Sequence, residues 1–180
     1  MNSRQKTVLT EDEIARALTR ISYEIIEYSD VLEHLVILGI PRRGETLAKR
    51  IAQKISAITA TPINVGTLDT TMYRDDLAEQ PTRVPHATNI PPSGIEGKRV
   101  VLVDDVLYTG RTVKAALEAL FDLGRPSIVQ LAVLVDRGHR ELPIRPDFIG
   151  KNLPTSRSEV VTINCKETDG TDSVVIEDLK

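Results

Sequence analysis

The amino-acid sequence contains little cysteine, few aromatic residues and no long apolar run. Its 180 residues include one cysteine, Cys165, which excludes an intrachain disulfide and a zinc site built from several cysteines. Tryptophan is absent and aromatic residues amount to 3%, so the core must be aliphatic. No apolar run approaches the length that spans a membrane, and the first residues lack the apolar segment of a signal peptide. We therefore expect a cytoplasmic protein with no membrane partner.

The charge balance also narrows the function. The formal net charge is −3, with 41% hydrophobic and 27% charged residues, which is typical of a soluble globular protein. This net charge does not predict nucleic-acid binding by the whole surface, so any RNA site must be a local basic patch. The length fits a single domain, residues 1–180.

The most informative stretch is VVLVDDVLYTGRT, residues 100–112. It begins with a continuous apolar run that ends at two carboxylates, Asp104 and Asp105. Beyond it, apolar residues recur at helical spacing: Val113, Leu117 and Leu120. This pattern predicts a strand, a loop and the start of a helix. A near-unbroken apolar strand is typical of a parallel sheet, in which ligands bind at the carboxyl ends of the strands.

The predicted loop has the chemistry of a phosphate site. Gly110 allows the backbone to approach a ligand closely, and the free N–H groups and dipole of a helix start attract an anion. Thr109 and Thr112 add hydroxyl donors. Asp104 and Asp105 repel phosphate but accept hydrogen bonds from sugar hydroxyls, so the combination predicts a phosphorylated ribose. The alternative is an ordinary strand–turn–helix in which the aspartates cap the helix and Thr109 is its N-cap.

The rest of the chain alternates between helices and strands. A capping box at Thr10–Glu13 starts a first helix, and a second helix carries Leu47, Ile51 and Ile55 on one face. Strands are predicted at residues 35–40, 63–68, 128–135, 160–163 and 173–176. This alternation predicts an α/β fold with a mostly parallel central sheet.

Three segments depart from this alternation. Residues 70–97 are rich in charge and proline and lack hydrophobic periodicity, which is typical of a functional lid or a disordered insertion. Residues 136–158 are polar and basic. Arg42 and Arg43 place two guanidiniums directly after a strand. Adjacent cations suit a pyrophosphate, which guanidinium groups bind with two hydrogen bonds, although a solvent-facing turn is the alternative.

Three motifs resemble those of a known family. The stretch 100–112 is similar to the phosphoribosyl pyrophosphate (PRPP) signature of type I phosphoribosyltransferases. Residues 130–145, QLAVLVDRGHRELPIR, and residues 150–156, GKNLPTS, resemble more narrowly the bifunctional pyrimidine-operon RNA attenuators with uracil phosphoribosyltransferase activity. The similarity runs over nearly the whole chain and is weakest around residues 77–96 and at the last residues.

The resemblance implies the type I phosphoribosyltransferase fold, a central mostly parallel sheet flanked by helices, with a flexible loop and a small hood. The flexible loop is expected at about residues 70–97, where Arg74 and Arg83 would act as it closes over the substrate. The hood, together with the base and RNA region, is expected at about residues 136–180.

The resemblance also implies the roles of the site residues. Asp104 and Asp105 are the expected catalytic residues, and Arg42 and Arg43 are the expected pyrophosphate ligands. The expected PRPP and nucleotide site comprises Val103, Asp104, Asp105, Val106, Leu107, Tyr108, Thr109, Gly110, Arg111 and Thr112. Mg²⁺ prefers phosphate oxygens and is expected to arrive with the substrate, so we expect no dedicated metal-binding residues.

The segment after strand 128–135 should meet the same sheet edge and is the expected base site. Asp136 and Arg137 are the candidate partners of the base, and Tyr108 or Phe148 is the candidate aromatic lid, with core filling as the equal alternative for Phe148. The candidate RNA contacts are Arg16, Thr19, Arg20, His139, Arg140, Arg145, Lys151 and Thr155. The alternatives are a solvated basic face and, for His139, a role as an acid–base catalyst.

The expected function has two parts. The protein converts uracil and PRPP to UMP and pyrophosphate, and it binds the leader RNA of a pyrimidine operon when UMP or UTP occupies the site, which promotes transcription termination. Pairing of two basic faces predicts a homodimer or a higher homo-oligomer. The alternatives are a purely metabolic phosphoribosyltransferase for another base, such as hypoxanthine or guanine, and a nucleotide-sensing regulator with negligible catalysis.

Overall fold

The computed structural model describes residues 5–76 and 84–179. In chain order its elements are β1 (Lys6–Leu9), α1 (Glu11–Glu27), β2 (Leu35–Gly39), α2 (Arg43–Thr59), β3 (Asn64–Thr67), β4 (Arg99–Leu107), α3 (Arg111–Leu123), β5 (Ile128–Asp136), β6 (Phe148–Asn152), β7 (Glu159–Asn164), α4 (Lys166–Asp169) and β8 (Ser173–Asp178). The main sheet has five parallel strands in the order β3-β2-β4-β5-β6. The predicted α/β class with a parallel central sheet is confirmed.

Helices cover both faces of the main sheet. The side chains of α1 and α2 belong to the hydrophobic core on one face, and those of α3 belong to the core on the other. All five residues of β2 are buried, and Val100–Val103 of β4 are no more than 1% exposed. Because both faces of these strands are covered, both must be apolar, which explains their unbroken aliphatic runs. The predicted capping box of Thr10 and Glu13 forms and starts α1.

A second, antiparallel sheet has the strand order β1-β8-β7 and packs against the α1–α2 side of the core. Its strands come from both ends of the chain, so the sheet does not coincide with the predicted hood, base and RNA region at about residues 136–180. β6 belongs to the main sheet, because it pairs with β5, and the amino-terminal β1 belongs to the small one. Cys165 is buried directly before α4.

The order of the main sheet reverses between β2 and β4. From β2 the chain proceeds to β3 on one side and then returns to β4 on the other. The loops that follow β2 and β4 therefore diverge and leave a crevice at the carboxyl ends of the strands, which is where ligands bind in open α/β sheets. Among the described residues, no helix has both the length and the apolar character needed to cross a membrane.

The second half of the predicted 70–97 loop is tied to the sheet. The backbones of Thr67 and Asn89 exchange hydrogen bonds of 2.9 and 2.8 Å, and Ile95 is 2% exposed. The sequence interpretation therefore extended the loop too far toward its carboxyl end. Isolated apolar residues anchor this segment without any regular spacing, so its pattern resembled that of an open loop.

Candidate active site

Two neighbouring cavities lie at the crevice between β2 and β4. Their volumes are about 490 Å³ and about 210 Å³. Arg74, Asp104, Val106 and Thr112 line both cavities, so the two spaces form one cleft. The cleft lies at the sheet edge that the sequence predicted.

The smaller cavity is built around the amino end of α3. Its wall includes the continuous run from Leu107 to Val113. The N-cap of α3 is Gly110, whose φ of 94° is a left-handed conformation that favours glycine. The N-cap is therefore neither Thr109 nor an aspartate, although the Thr109 hydroxyl accepts the N–H of Arg111 over a long 3.4 Å. The first-turn N–H groups and the Thr112 hydroxyl therefore suit an anion such as phosphate.

The two aspartates lie inside β4 rather than beyond its end, because the strand continues to Leu107. Asp104 is 7% exposed, Asp105 is half-buried, and both line the larger cavity. Burial raises the pKa of Asp104 well above its usual range, and the adjacent Asp105 carboxylate raises it further. Asp104 therefore keeps its proton to a higher pH than an ordinary aspartate.

The two arginines of the predicted pyrophosphate loop point to different places. Arg42 lines the larger cavity, and its Nε donates to Nε2 of His86 over 3.4 Å. Arg43 does not line either cavity; its Nε and Nη2 donate to the Asp169 carboxylate over 3.3 and 3.0 Å. This corrects the prediction for Arg43, because consecutive residues at a helix start point about 100° apart. The Pro41–Arg42 peptide bond is cis.

The start of the 70–97 segment contacts the smaller cavity. Nη1 of Arg74 donates to Oγ1 of Thr112 over 3.0 Å, and its Nε and Nη2 donate to Asp76. Arg111 donates to the carboxylate of Asp75 over 2.6 Å and to that of Glu141, in the segment after β5, over 2.8 Å. Arg74 is thus placed at the cleft, while the predicted loop residue Arg83 lies outside the described residues.

Sequence reasoning missed a group of residues that line the larger cavity. They are Asp69, Thr70, Thr71, Val84 and His86. The signal for the first three is topological, because they follow β3, whose carboxyl end lies at the same edge of the parallel sheet as those of β2 and β4. His86 carries no such signal, because no regular pattern relates it to a neighbouring strand.

Arg137, a predicted base contact, is bonded mainly within the protein. It is 7% exposed, and its guanidinium donates to Oγ1 of Thr155 and to the carbonyl oxygens of Ser156 and Glu159. The same guanidinium lies 4.2 Å from the centre of the Tyr108 ring. These contacts use three of the five N–H donors of Arg137 and hold its guanidinium beside the Tyr108 ring, which it supports; its contact with the base stays a prediction.

The other residues predicted near the base lie in three different surroundings. The carboxylate of Asp136 accepts hydrogen bonds from the N–H of Gly138, over 3.0 Å, and from Nη2 of Arg140, over 2.7 Å. Phe148 is 1% exposed and packs edge-on against Tyr28, so it fills the core and cannot be a lid. Tyr108 lines the smaller cavity and stays the aromatic candidate.

The predicted RNA contacts fall into two groups. His139, Arg140 and Thr155 are bonded within the protein: Nε2 of His139 lies 2.6 Å from the carbonyl oxygen of Thr155, and Arg140 donates to Ile144, Tyr108 and Asp136. His139 lines neither cavity of the cleft, which removes the geometry needed for an acid–base role there. This group gives the segment after β5 its shape.

The second group forms a basic face where α1 meets β6. Arg20 donates to the carbonyl oxygens of Ile149 and Gly150, and the pKa of Glu13 is lowered first by hydrogen bonds from Thr10 and then by the nearby charges of Lys151 and Arg16. Arg16 and Arg20 are exposed. Arg145 is also exposed but follows Ile144, which packs against the core on the α3 side of the sheet, so it is not assigned to this face. Thr19 lies on the same helix and accepts a hydrogen bond from Lys54.

The chain matches the family model described as the phosphoribosyl transferase domain over residues 4–178. Its fold and cleft are therefore those of a phosphoribosyltransferase. Two curated relatives, both named bifunctional protein PyrR, come from Leifsonia xyli subsp. xyli and Deinococcus deserti. The first is 58% identical over 178 residues (96% of this chain, 97% of the relative) and the second is 55% identical over 180 residues (100% and 98%). The chain belongs to this PyrR family, which confirms the family that the motifs predicted.

Solved structures match the fold over almost the whole chain. A hypoxanthine-guanine phosphoribosyltransferase from Bacillus anthracis has a TM-score of 0.71 at 14% identity, covering 99% of this chain and 100% of its own. A hypoxanthine phosphoribosyltransferase from Trypanosoma cruzi has a TM-score of 0.71 at 18% identity, covering 97% of each chain. At these identities the similarity concerns the fold alone, and it confirms the predicted type I phosphoribosyltransferase architecture.

Proposed function

We propose that this protein transfers the phosphoribosyl group of PRPP to uracil and also binds the leader RNA of a pyrimidine operon when UMP or UTP is bound. The observation that carries the enzymatic half is the order of groups along the cleft. The run at the amino end of α3 lines the smaller cavity, Asp104 lines both cavities, and Asp105 and Arg42 line the larger one. PRPP carries a phosphate, a ribose and a pyrophosphate in the same order.

Each part of PRPP meets a suitable partner in this arrangement. The 5′-phosphate binds to the first-turn N–H groups of α3 and to the Thr112 hydroxyl, with Nη1 of Arg74 close by. The ribose hydroxyls donate to the carboxylates of Asp104 and Asp105. The pyrophosphate accepts hydrogen bonds from Arg42, whose guanidinium matches phosphate oxygens.

The reaction breaks the bond between ribose C1 and the pyrophosphate oxygen, and the electron pair leaves with pyrophosphate. A uracil nitrogen forms the new bond to C1 and gives up its proton. Positive charge develops on the ribose ring in the transition state, as in other glycosyl transfers. The carboxylate of Asp105 stabilises that charge, and Arg42 stabilises the leaving group.

The cleft also suits a metal that arrives with the substrate. Phosphoribosyltransferases generally use Mg²⁺ with PRPP. Mg²⁺ binds carboxylate and phosphate oxygens, and Asp104 and Asp105 offer carboxylate oxygens beside the expected pyrophosphate position. When bound, Mg²⁺ neutralises charge on the leaving pyrophosphate.

The basic face carries the RNA half of the proposal. Arg16, Arg20 and Lys151 on this face supply cations for RNA phosphates, and exposed Tyr23 supplies a ring on which a splayed base stacks. Exposed Arg145, in the segment after β5, is a further proposed phosphate contact. A second copy of the chain would double this face, so we propose a homodimer or a larger homo-oligomer as the RNA-binding form.

Two assays on one preparation test the proposal. Pyrophosphate release from PRPP with Mg²⁺ is measured with uracil, hypoxanthine and guanine, and we expect turnover with uracil. The dissociation constant of the leader RNA is measured with and without UMP at one salt concentration, and we expect tighter binding with UMP. Turnover with a purine base instead would favour the metabolic alternative. RNA binding without turnover would favour the nucleotide-sensing regulator, and equal dissociation constants would remove the nucleotide link.

A further inference from the structure

A group of charged side chains joins α2 to the small sheet outside the cleft. It consists of Arg43 and Arg50 on α2 and of Glu167, Asp169 and Asp172 in or beside α4. We propose that Asp169, acting through Arg43, positions the loop at residues 41–42 for the pyrophosphate of PRPP. This inference rests on the proposed transfer reaction and assigns Asp169 and Arg43 as positioning residues for it.

The contact between Arg43 and Asp169 is geometrically defined. Nη2 of Arg43 donates to Oδ1 of Asp169 over 3.0 Å and Nε donates to Oδ2 over 3.3 Å, so the two planar groups meet at two points. Oδ2 of Asp169 also accepts the N–H of Cys165 over 2.8 Å. The carboxylate is therefore held by its own turn and gives Arg43 a fixed anchor.

The turn that carries Asp169 is itself docked on α2. Arg50 donates to the carboxylates of both Glu167 and Asp172, and Asp172 accepts the N–H of Lys166 over 2.7 Å. Arg50 lies seven residues after Arg43, about two turns along the helix. This second contact fixes α4 against α2 independently of Arg43, so Asp169 does not depend on Arg43 for its own position.

The opposite side of the helix start is fixed by close packing. A Cβ added to Gly44 would lie 2.5 Å from the carbonyl oxygen of Val103, directly before Asp104. The first turn of α2 is therefore held between β4 on one side and Asp169 on the other. Arg42 comes immediately before this turn, makes no capping bond with its side chain, and reaches His86 over 3.4 Å. The position of its backbone is therefore set by Arg43 and Gly44.

Charge gives the same assignment. Arg42 and Arg43 are adjacent cations, and Asp169 pairs with one of them and holds it away from the cleft. Without Asp169 both guanidiniums would repel each other and compete for the same anion. The effect is confined to the pyrophosphate end of the cleft, because UMP carries no pyrophosphate and binds at the α3 end.

The test is a comparison of Asp169→Asn with Glu167→Gln. Glu167→Gln weakens another contact between the same turn and α2 but leaves the helix start untouched, so it is the matched control. The dissociation constants of Mg²⁺–PRPP, pyrophosphate and UMP are measured by calorimetry, which needs no turnover, together with kcat and KM for PRPP. We expect Asp169→Asn to weaken PRPP and pyrophosphate binding about three- to tenfold, with KM for PRPP rising more than kcat falls and UMP binding unchanged.

Arg43 provides the second approach if Asp169→Asn fails to fold. Arg43→Gln should reproduce the selective loss, and Arg43→Lys should restore part of it, because lysine can still pair with Asp169. Equal constants for Asp169→Asn and Glu167→Gln would overturn the proposal, as would an equal weakening of UMP and PRPP. Tighter pyrophosphate binding by Asp169→Asn together with weaker binding by Arg43→Gln would make Arg43 a direct ligand and would also overturn it. Absence of turnover in the unmodified protein would instead reject the proposed reaction, while the binding constants would still test the positioning.

Discussion

Arg111 donates a hydrogen bond of 2.8 Å from its Nε to Oε2 of Glu141 and so joins the start of α3 to the segment after β5. Further hydrogen bonds connect the same segments. Nη1 of Arg140 donates to the carbonyl oxygen of Tyr108 over 2.8 Å. The N–H of Glu141 donates to the carbonyl oxygen of Thr109 over 2.9 Å. Because the residues from Tyr108 to Arg111 line the smaller cavity, an anion bound there contacts a loop that is bonded to a proposed RNA-binding segment.

This connection predicts that Glu141→Ala weakens the coupling between UMP and RNA. In the unmodified protein UMP should tighten RNA binding about fivefold or more, which is typical of linked sites. In Glu141→Ala the ratio of RNA dissociation constants with and without UMP should move toward one. Glu118→Ala is the control, because the Glu118 carboxylate pairs with Lys114 within α3 rather than with Arg111. An undiminished UMP effect in Glu141→Ala would reject the route through Arg111.

Asp105→Asn should separate catalysis from regulation. The substitution keeps the size of the side chain but removes the negative charge beside ribose C1, so kcat for UMP formation should fall about 100- to 1000-fold. RNA binding with UMP should be retained, because Asp105 is not part of the basic face. Asp122→Asn, which alters a surface carboxylate bonded to Tyr73, is the control. Undiminished turnover by Asp105→Asn would remove the catalytic role of Asp105.

Asp104 predicts a pH dependence of stability. Burial, and then the charge of Asp105, raise the pKa of Asp104 in the folded protein above its usual value of 3.8. A group with a raised folded pKa contributes stability that is present below its unfolded pKa and is lost as the pH rises through the folded pKa. Asp104→Asn removes this loss, so its Tm relative to the unmodified protein should increase from pH 4 to pH 8. A difference that stays constant or falls with pH would contradict the assignment.

The basic face predicts a change in the salt dependence of RNA binding. Lys151→Gln should weaken RNA binding and reduce the slope of log K against log salt by about one, because one phosphate contact is lost. Lys166→Gln removes an exposed lysine from α4 and should leave the slope unchanged. Filter binding at several salt concentrations measures both. The same slope for the two variants would place the RNA elsewhere.

Cys165 should be inert in the folded protein. Burial raises the pKa of its thiol to about 11, so little thiolate is present at pH 8. A thiol reagent should therefore react at pH 8 after unfolding in denaturant and react much more slowly before it. Rapid labelling of the folded protein at pH 8 would contradict the buried position of this thiol.

The sequence by itself determined the main features of the fold and of the nucleotide site. The run from residue 100 to residue 112 encodes a buried strand, a glycine turn and a helix start, and local pattern alone specifies each of these. The capping box at Thr10 and the two aspartates at the end of an apolar run could likewise be identified from the sequence. These features depend on neighbouring residues, whose spacing is visible in the chain.

Only the tertiary structure decided what each arginine contacts and which strands complete the sheets. Arg43 meets Asp169 across 126 positions of the chain, and Arg137 stacks on Tyr108 from a different strand. β1 and β6 have four and five residues, too few to show a period, and they form because they pair with strands distant in sequence. A long cationic side chain reaches several partners, and the fold determines which one lies within hydrogen-bond distance.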